Sequence, residues 1–334
     1  MSETHISLAH GNGGRFMREL IQDIFVRFLG NPLLDTRADA AIVLLPPDSE
    51  MLITTDAFIV QPLEFPGGNI GSLAVHGTIN DLAVASGDPL YLTVSAIIEE
   101  GLEWAVLERL VASMASASRE AGVVVVAGDT KVVPRGCGGG IYFTTTGVGI
   151  RPLEIALNRR RMRPGDAVVV SGPVGDHGTA VLLAREAFGL RGDLQSDSAS
   201  VLPLTRAVRG LSGMRFMRDP TRGGLATVAH ELAQGADLTV RLFERYIPIR
   251  DPVKAVCEML GYDPLYLACE GRVVAVVAGD QANDVWQSWI DMGHEEAAII
   301  GALETGLARV ILETTLGGER LLEELEDDPL PRIC

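Results

Sequence analysis

Two kinds of hydrophobic pattern occur along the first half of the chain, one typical of amphipathic helices and one typical of β-strands. Residues 16–28 carry an apolar side chain at every fourth position, which predicts an amphipathic helix. Residues 40–45 and 51–55 are short apolar runs on either side of a Pro-Pro-Asp-Ser turn, which predicts a strand pair. Further strands are predicted at 91–98, 123–127 and 141–150, and helices at 70–85 and 102–121. This mixture predicts an α/β domain over residues 1–152.

The second half of the chain also contains both helix-like and strand-like patterns, and it begins after a polar turn. Residues 159–161 are three consecutive arginines and residues 164–166 read Pro-Gly-Asp, which indicates a solvated linker between domains. The turn at residues 172–178 is rich in glycine but lacks the Gly-Lys-Ser/Thr signature of a P-loop. An apolar stripe predicts a helix after residue 224, and strands are predicted at 167–171, 273–278, 298–300 and 308–313. We therefore predict a second α/β domain over residues 163–313 and a flexible tail over residues 314–334.

Composition is that of a folded protein and narrows the choice of partners. The 334 residues are 47% apolar and 22% charged, with a formal net charge of -16. This charge makes nucleic acid and anionic membranes poor partners. The N-terminus lacks the pattern of a signal peptide, and apolar runs such as residues 123–127 are far too short to span a bilayer.

The cysteines favour a reducing compartment. Cys137, Cys257, Cys269 and Cys334 have no Cys-x-x-Cys spacing, and no histidines cluster with them. Neither a zinc site nor a disulfide framework is indicated. We expect a cytoplasmic protein in which Cys334 remains a thiol.

Three carboxylates follow or interrupt apolar elements in the first domain. Asp56 ends one predicted strand and Asp129 follows another. Asp81 and its neighbour Asn80 lie inside a predicted apolar helix, where a polar pair costs stability unless it is satisfied. Carboxylate oxygens are hard ligands, so the three acids suggest a site for Mg²⁺ and nucleotide phosphates. Three unrelated helix caps and turns are the alternative explanation.

Two glycine-rich segments precede predicted helices and are candidates for binding phosphate. Residues 10–14 read His-Gly-Asn-Gly-Gly, and residues 219–224 read Asp-Pro-Thr-Arg-Gly-Gly. Backbone amides at a helix start can bind an anion, and glycine lets the anion approach closely. Ordinary helix caps and a flexible hinge explain both segments equally well.

The chain ends in a cysteine that follows a segment poorly suited to folding on itself. Residues 323–328 are acidic except for one leucine, and Pro329 and Pro331 follow them. The thiol of Cys334 is therefore predicted to lie on a movable arm, which spans roughly 60 Å if the whole tail is extended. A frayed terminus that happens to end in cysteine is the alternative.

Taken together, several segments resemble the aminoimidazole-ribonucleotide-synthetase-like superfamily of ATP-using enzymes. In chain order they are Thr54-Thr55-Asp56, residues 77–83, Gly128-Asp129-Thr130-Lys131 and residues 219–224. Within that superfamily the chain is most similar to the HypE family of hydrogenase maturation factors, through residues 10–14, 65–68, 268–271 and the ending Pro-Arg-Ile-Cys. The resemblance implies a two-domain α/β fold, and a homodimer with ATP sites near the subunit interface.

The resemblance also implies a reaction at the terminal thiol. Cys334 would receive a carbamoyl group from the carbamoyltransferase HypF, and ATP would drive dehydration of the S-carboxamide to an S-cyano group. The cyano group would then pass to iron in the HypC–HypD complex, as a ligand for the [NiFe]-hydrogenase centre. Lys131 and Glu270 are two candidates for the catalytic base, and the sequence does not rank them.

The implied ligand sets lie on the matched segments. Mg²⁺ would be held by Asp56, Asp81 and Asp129. ATP would be contacted by Asn80, Thr130, Asp219, Gly223 and Gly224.

Two functions of other kinds fit the same segments. A small-molecule kinase or ligase of the superfamily, such as thiamine-monophosphate kinase, would not need Cys334. A non-catalytic scaffold would bind ATP without turning it over and would use its acidic tail to dock a partner. A selenophosphate synthetase is a poorer match, because the first glycine loop has no cysteine.

Overall fold

The computed structural model describes residues 4–155, 157–185, 193–326 and 333. They form two compact units that separate between Leu153 and Glu154, except that Ala83–Ser86 group with the second unit. Each unit combines helices with a β-sheet, and the predicted α/β class is confirmed. Among the described helices, none combines the length and apolar character needed to cross a bilayer.

The first unit contains six strands and four α-helices among its described residues. The strands are β1 (Ser49–Phe58), β2 (Glu64–Phe65), β3 (Gly68–Asn69), β4 (Asp88–Glu99), β5 (Val124–Val133) and β6 (Ile141–Pro152). The helices are α1 (Gly14–Leu20), α2 (Arg27–Leu29), α3 (Ile70–Val84) and α4 (Trp104–Ala121). A 3₁₀ turn covers Leu8–Gly11, and the π-helical stretch Ile21–Val26 joins α1 to α2.

A four-stranded sheet, ordered β1-β6-β4-β5, organises this unit, and only the β4–β5 pair is parallel. Helix α3 covers one face, where the hydroxyl of Thr145 in β6 donates to the carbonyl of Ala74 at 3.3 Å. The other face carries apolar side chains that are open to solvent in the single chain. Met51 and Ile53 of β1 are 54% and 60% exposed. We call this surface the outer sheet face.

Two expectations about this sheet are corrected by the structure. Strands β1 and β5 run past Asp56 and Asp129, because their neighbours β6 and β4 extend far enough to pair with them. Both carboxylates therefore lie within strands rather than at strand ends. The predicted strand at residues 40–45 was wrong, since β1 pairs with the distant β6 instead. Ile42 and Leu44 in that segment are 87% and 82% exposed.

The second unit contains seven strands and five α-helices among its described residues. The strands are β7 (Ala167–Val170), β8 (Met214–Arg218), β9 (Thr239–Phe243), β10 (Val274–Val277), β11 (Ala298–Glu304), β12 (Arg309–Glu313) and β13 (Glu319–Leu322). The helices are α5 (Asp176–Ala184), α6 (Leu202–Val208), α7 (Gly224–Ala236), α8 (Asp251–Leu260) and α9 (Ala282–Asp291). Short 3₁₀ turns cover Arg159–Arg161, Glu244–Tyr246, Pro264–Tyr266 and Gly279–Gln281.

Its seven strands form one sheet, ordered β13-β12-β9-β11-β7-β10-β8, in which only the β9–β12 pair is parallel. Helix α7 contributes Leu225, Val228 and Leu232 to the same buried cluster as Val240 of β9 and Val310 of β12. This cluster sets the position of the segment that leads into α7.

The predicted flexible tail is shorter than expected, because the sheet continues into it. Strand β13 pairs antiparallel with β12, and Leu322 at its end is 2% exposed. The hydroxyl of Tyr266 then donates to the carbonyl of Glu323 at 2.6 Å. The prediction of a flexible tail that starts at residue 314 is therefore wrong. The stretch beyond β13, residues 323–334, would span roughly 40 Å if extended.

Candidate functional site

Helix α3 turns the carboxylate of Asp81 toward the covered face of the first sheet. Asn80 is 1% exposed and Asp81 is half-buried. The hydroxyl of Thr54 in β1 donates to Oδ2 of Asp81 at 2.7 Å. Asp56 lies two residues along β1, and alternate residues of a strand share a face. The structure therefore places Thr54, Asp56 and Asp81 on the same side of the sheet.

Asp129 and Lys131 lie on the outer sheet face. Asp129 is in register with Ser95 of β4, which is in register with the exposed Thr144 of β6. The Lys131 ammonium lies 3.1 Å from Oδ1 of Asp129, and the two side chains are 60% and 55% exposed. Lys131 is therefore not desolvated in the single chain, which was the condition for its acting as a base. Thr130, between them, is buried.

The three predicted metal ligands do not converge within one chain. Asp56 and Asp129 lie on opposite faces and on the two edge strands of the sheet, three strand spacings or about 14 Å apart. Among the described residues, no group of three His, Cys, Asp or Glu side chains could hold a metal ion. Asp56 and Asp81 still suit Mg²⁺, which needs only one or two carboxylates when phosphates and waters complete its shell. Asp129 cannot join them within the same chain.

A cavity of about 170 Å³ lies beside β5. Its wall is formed by apolar side chains of the N-terminal helical region, by residues 34–41 and by residues 125–130. Thr130, a predicted ATP contact, is part of this wall, and the lining includes the carboxylates of Asp39 and Asp129. The first unit therefore offers a partly open cavity next to one of the matched segments.

The predicted phosphate-binding turn of the second unit leads directly into α7. Gly223 and Gly224 have φ angles of 72° and 59°, a region that favours glycine. A Cβ on Gly224 would come within 2.5 Å of the Leu267 carbonyl oxygen, so the backbone there approaches its neighbour too closely for any side chain. The turn presents the first amides of a 13-residue helix, and Asp219 is buried beside it.

Glu270 is held next to this turn. The amide of Cys269 donates to the carbonyl of Pro220 at 2.9 Å, which joins the two segments. Glu270 is 2% exposed, and its amide donates to Oδ1 of Asp197 at 3.1 Å. Its carbonyl accepts from the amide of Ala199 at 3.3 Å. The loop that contains Asp197 and Ala199 therefore fixes the backbone of the candidate base.

Asp197 also belongs to a buried network of charges. Arg272 lies 3.4 Å from Oδ2 of Asp197 and 3.4 Å from Oδ2 of Asp176. The guanidinium of Arg250 approaches the same atom of Asp176 at 3.2 Å. Burial, followed by the charge of Asp197, raises the pKa of Asp176 to about 6. Arg272 thus stabilises two carboxylates that would otherwise repel each other in a buried site.

The histidine that contacts the C-terminal segment was not predicted from the sequence. His177 is completely buried in α5, with its Nε2 2.8 Å from the carbonyl oxygen of Ile333 and its Nδ1 2.7 Å from Oγ of Ser196. Ile333 is 4% exposed and immediately precedes Cys334, which lies outside the described residues. The glycine-rich turn at residues 172–178, which contains His177, was visible in the sequence. Such a pattern does not indicate a contact between residues 156 positions apart.

Family models match both halves of the chain. The model for the N-terminal domain of AIR synthase related proteins matches residues 37–151, and the model for their C-terminal domain matches residues 163–311. The carbamoyl dehydratase HypE of Azotobacter vinelandii is 46% identical over 334 residues, which cover 98% of this chain and 97% of that protein.

Solved structures are similar over the same length. A crystal structure of the hydrogenase maturation protein HypE in complex with ATP has a TM-score of 0.93 and 42% identity, covering 98% of this chain and 99% of that one. A HypE–HypF complex matches with a TM-score of 0.79 and 38% identity, covering 92% of this chain and 99% of that one.

Proposed function

Because this chain belongs to the HypE family of carbamoyl dehydratases, we propose that it uses ATP to dehydrate a carboxamide carried on its own C-terminal cysteine. The product is an S-cyano group on Cys334, which supplies a ligand for the iron of a [NiFe]-hydrogenase. The observation that carries the proposal is the buried Ile333, bound to His177 in the unit that also holds Glu270. The residue before the thiol is thus docked inside the protein.

The chemistry balances with ATP as the dehydrating reagent. The carboxamide oxygen attacks the γ-phosphorus of ATP, and ADP leaves. This oxygen, which is a poor leaving group by itself, is thereby converted into a phosphate ester that leaves readily. Loss of both amide protons and of the phosphate then breaks the C–O bond and leaves C≡N on the sulfur. The sum is one S-carboxamide and one ATP giving one S-cyano group, ADP, phosphate and a proton.

The residues divide into two kinds of role. Glu270 is buried and its backbone is fixed, which suits a base that must meet the amide protons at a defined position. Lys131 is exposed and paired with Asp129, which suits neutralising charge on the phosphates. ATP is contacted by Asn80, Thr130, Asp219, Gly223 and Gly224.

Mg²⁺, when bound, neutralises charge on the phosphates. Asp56 and Asp81 fit this ion, because both face the same side of the first sheet and both supply carboxylate oxygens. Asp129 can take part only when a second copy of the chain contributes it.

The proposed partners follow from the reaction and from the surface. HypF supplies the carbamoyl group, in keeping with the crystallised HypE–HypF complex of a relative, and the HypC–HypD complex accepts the cyano group. We also propose a homodimer through the outer sheet face. The exposed Met51 and Ile53 of that face support it, together with the exposed Ile42 and Leu44 in the segment before β1, since apolar side chains in such numbers usually mark an interaction surface.

Mass spectrometry of the C-terminal peptide tests the function directly. The protein is incubated with HypF, carbamoyl phosphate and Mg-ATP, and the peptide that ends in Cys334 is followed. We expect it to gain a carbamoyl group and then lose the mass of one water. A variant lacking Cys334 should show neither change and should still bind ATP.

Cys137 provides a matched control, because its thiol is exposed but lies far from the terminus in sequence. Cys137→Ser should be carbamoylated and dehydrated like the unmodified protein. Carbamoylation without loss of water in the presence of ATP would contradict the proposal.

A further inference from the structure

We infer that His177 is the positioning residue that holds the C-terminal tail in its docked state, so that the thiol of Cys334 stays at the dehydration site. The inference rests on the proposed function. It assigns to one contact the choice between the docked and the undocked position of the tail. HypF has to reach the thiol from outside, whereas ATP-dependent dehydration requires it inside. A contact next to the thiol is therefore the natural place to control the exchange.

The ring of His177 has a defined hydrogen-bonding arrangement. The carbonyl oxygen of Ile333 can only accept, so Nε2 of His177 carries the proton that it receives. Nδ1 then accepts from the hydroxyl of Ser196 at 2.7 Å. That hydroxyl in turn accepts from the amide of Ser198 at 3.0 Å, which fixes its direction. Burial lowers the pKa of His177, which favours the neutral ring required by this arrangement.

The same loop connects the tail to the candidate base. Ser196 binds His177, while the next residue, Asp197, accepts the amide of Glu270, and Ala199 donates to the carbonyl of Glu270. Residues 196–199 therefore hold both the anchor of the tail and the backbone of Glu270. Docking of Ile333 and placement of the base are linked through one short segment.

The tail makes two sets of described contacts, and they differ in their distance from the thiol. The first lies at residues 322–324, where His230 binds the carbonyl of Leu322 at 3.0 Å and Gln234 approaches Glu324 at 3.3 Å. The second lies at Ile333, whose Cα is about 3.8 Å from that of Cys334 across one peptide bond. The contact with His177 is thus the described contact of the tail that lies nearest to the thiol along the chain.

Alkylation of Cys334 measures the docked state without any turnover. The full chain is treated with iodoacetamide, and labelling of Cys334 and of the exposed Cys137 is followed by mass spectrometry. Cys137 serves as an internal standard for an accessible thiol. We expect His177→Phe to raise the labelling rate of Cys334 about tenfold relative to Cys137, the factor that corresponds to loss of about 1.4 kcal/mol of docking. His177→Gln, which keeps a donor, should restore slow labelling.

Two further variants separate docking from folding. Ile333→Ala removes the buried side chain and leaves His177 unchanged, so it should also speed labelling of Cys334. His294→Gln is the matched control, because His294 also lies in the second unit and its described hydrogen bonds are made by its backbone. In this variant, Cys334 should be alkylated at the same rate as in the unmodified protein.

Turnover supplies the second readout. His177→Phe should accept carbamoyl groups from HypF at least as fast as the unmodified protein and should dehydrate them about tenfold more slowly. Unchanged labelling and unchanged dehydration in both His177→Phe and Ile333→Ala would overturn the inference. If the unmodified protein itself fails to dehydrate, the proposed function is wrong, and the labelling rates still decide whether His177 holds the tail.

Discussion

The two units hold their candidate residues in opposite ways. In the first unit, Asp129 and Lys131 are more than half exposed, and Asp56 lies on the other side of the same sheet. In the second unit, Glu270 and His177 are buried and both bond to the loop of residues 196–199, and His177 also binds Ile333. The first arrangement does not bring the three predicted metal ligands together within one chain. The second is assembled within one chain.

This difference has an energetic consequence. Exposed ion pairs contribute little to stability, because water and salt screen them and two long side chains must be ordered. Buried charges that lose a partner are costly, because the remaining charge has been removed from water. Substitutions in the first unit should therefore change function more than stability, whereas substitutions in the buried network should change both.

The largest effect is expected from Arg272→Met. This change leaves Asp197 without its described ion pair and Asp176 with only Arg250, so the free energy of unfolding should fall by about 3–5 kcal/mol. Arg320→Met is the matched control, since its partner Asp263 is nearer the surface, and it should cost less than about 1 kcal/mol. Urea denaturation measures both. Equal losses would show that the network is no stronger than a surface pair.

Gly224→Ala should have the next largest effect. A Cβ there meets the carbonyl oxygen of Leu267 in addition to adopting a positive φ, so the cost should be about 2–3 kcal/mol. Gly261→Ala has a similar φ of 75° but meets no heavy atom within 4 Å, so it should cost about 1 kcal/mol. Thermal unfolding of the two variants separates the clash from the backbone strain. ATP affinity should fall only for Gly224→Ala.

Asp81→Ala tests the metal assignment in the first unit. Removing a carboxylate from the Asp56–Asp81 pair should weaken Mg-ATP binding about tenfold, or ~1.4 kcal/mol. Asp23→Ala, which removes an exposed carboxylate of the same unit, should leave binding unchanged. Calorimetric titration with Mg-ATP gives both affinities. An unchanged affinity for Asp81→Ala would remove this residue from the site.

The smallest effect on stability is expected from Lys131→Met. Its exposed pair with Asp129 should contribute less than about 0.5 kcal/mol, while dehydration of the carbamoylated protein should slow markedly. Lys254→Met disrupts another exposed pair, with Asp251, and should leave both stability and dehydration unchanged. A loss of stability like that of Arg272→Met would break the contrast between the two units.

Local patterns were enough to predict most elements of the fold. The helix predicted at residues 70–85 is α3 (Ile70–Val84), and the strand predicted at 91–98 is the core of β4 (Asp88–Glu99). The segment at residues 40–45 was misassigned because apolar character alone does not identify the strand's partner. The tail assignment failed for Glu319–Leu322, because this strand forms by pairing with β12 and its short sequence, Glu-Arg-Leu-Leu, has no strong strand preference of its own.

In the candidate site, too, contacts between residues distant in sequence could not be predicted from local patterns. Glu270 and the turn before α7 were recognised from matched segments, and the structure joins them through Cys269 and Pro220. His177 and Asp197 were missed, since their partners are distant in sequence and neither residue belongs to a motif with known spacing. The separation of Asp56 from Asp129 was also invisible, because strand order and face depend on pairing between distant strands.

The sequence by itself determined the family, the two α/β domains and the thiol at the end of the chain, because short motifs and apolar periodicity are local properties. Only the tertiary structure decided that the acids of the first unit face opposite ways and that the tail docks through Ile333 onto His177. Both outcomes depend on strand register and on burial. These are set only when residues far apart in sequence pack against one another and remove apolar surface from water.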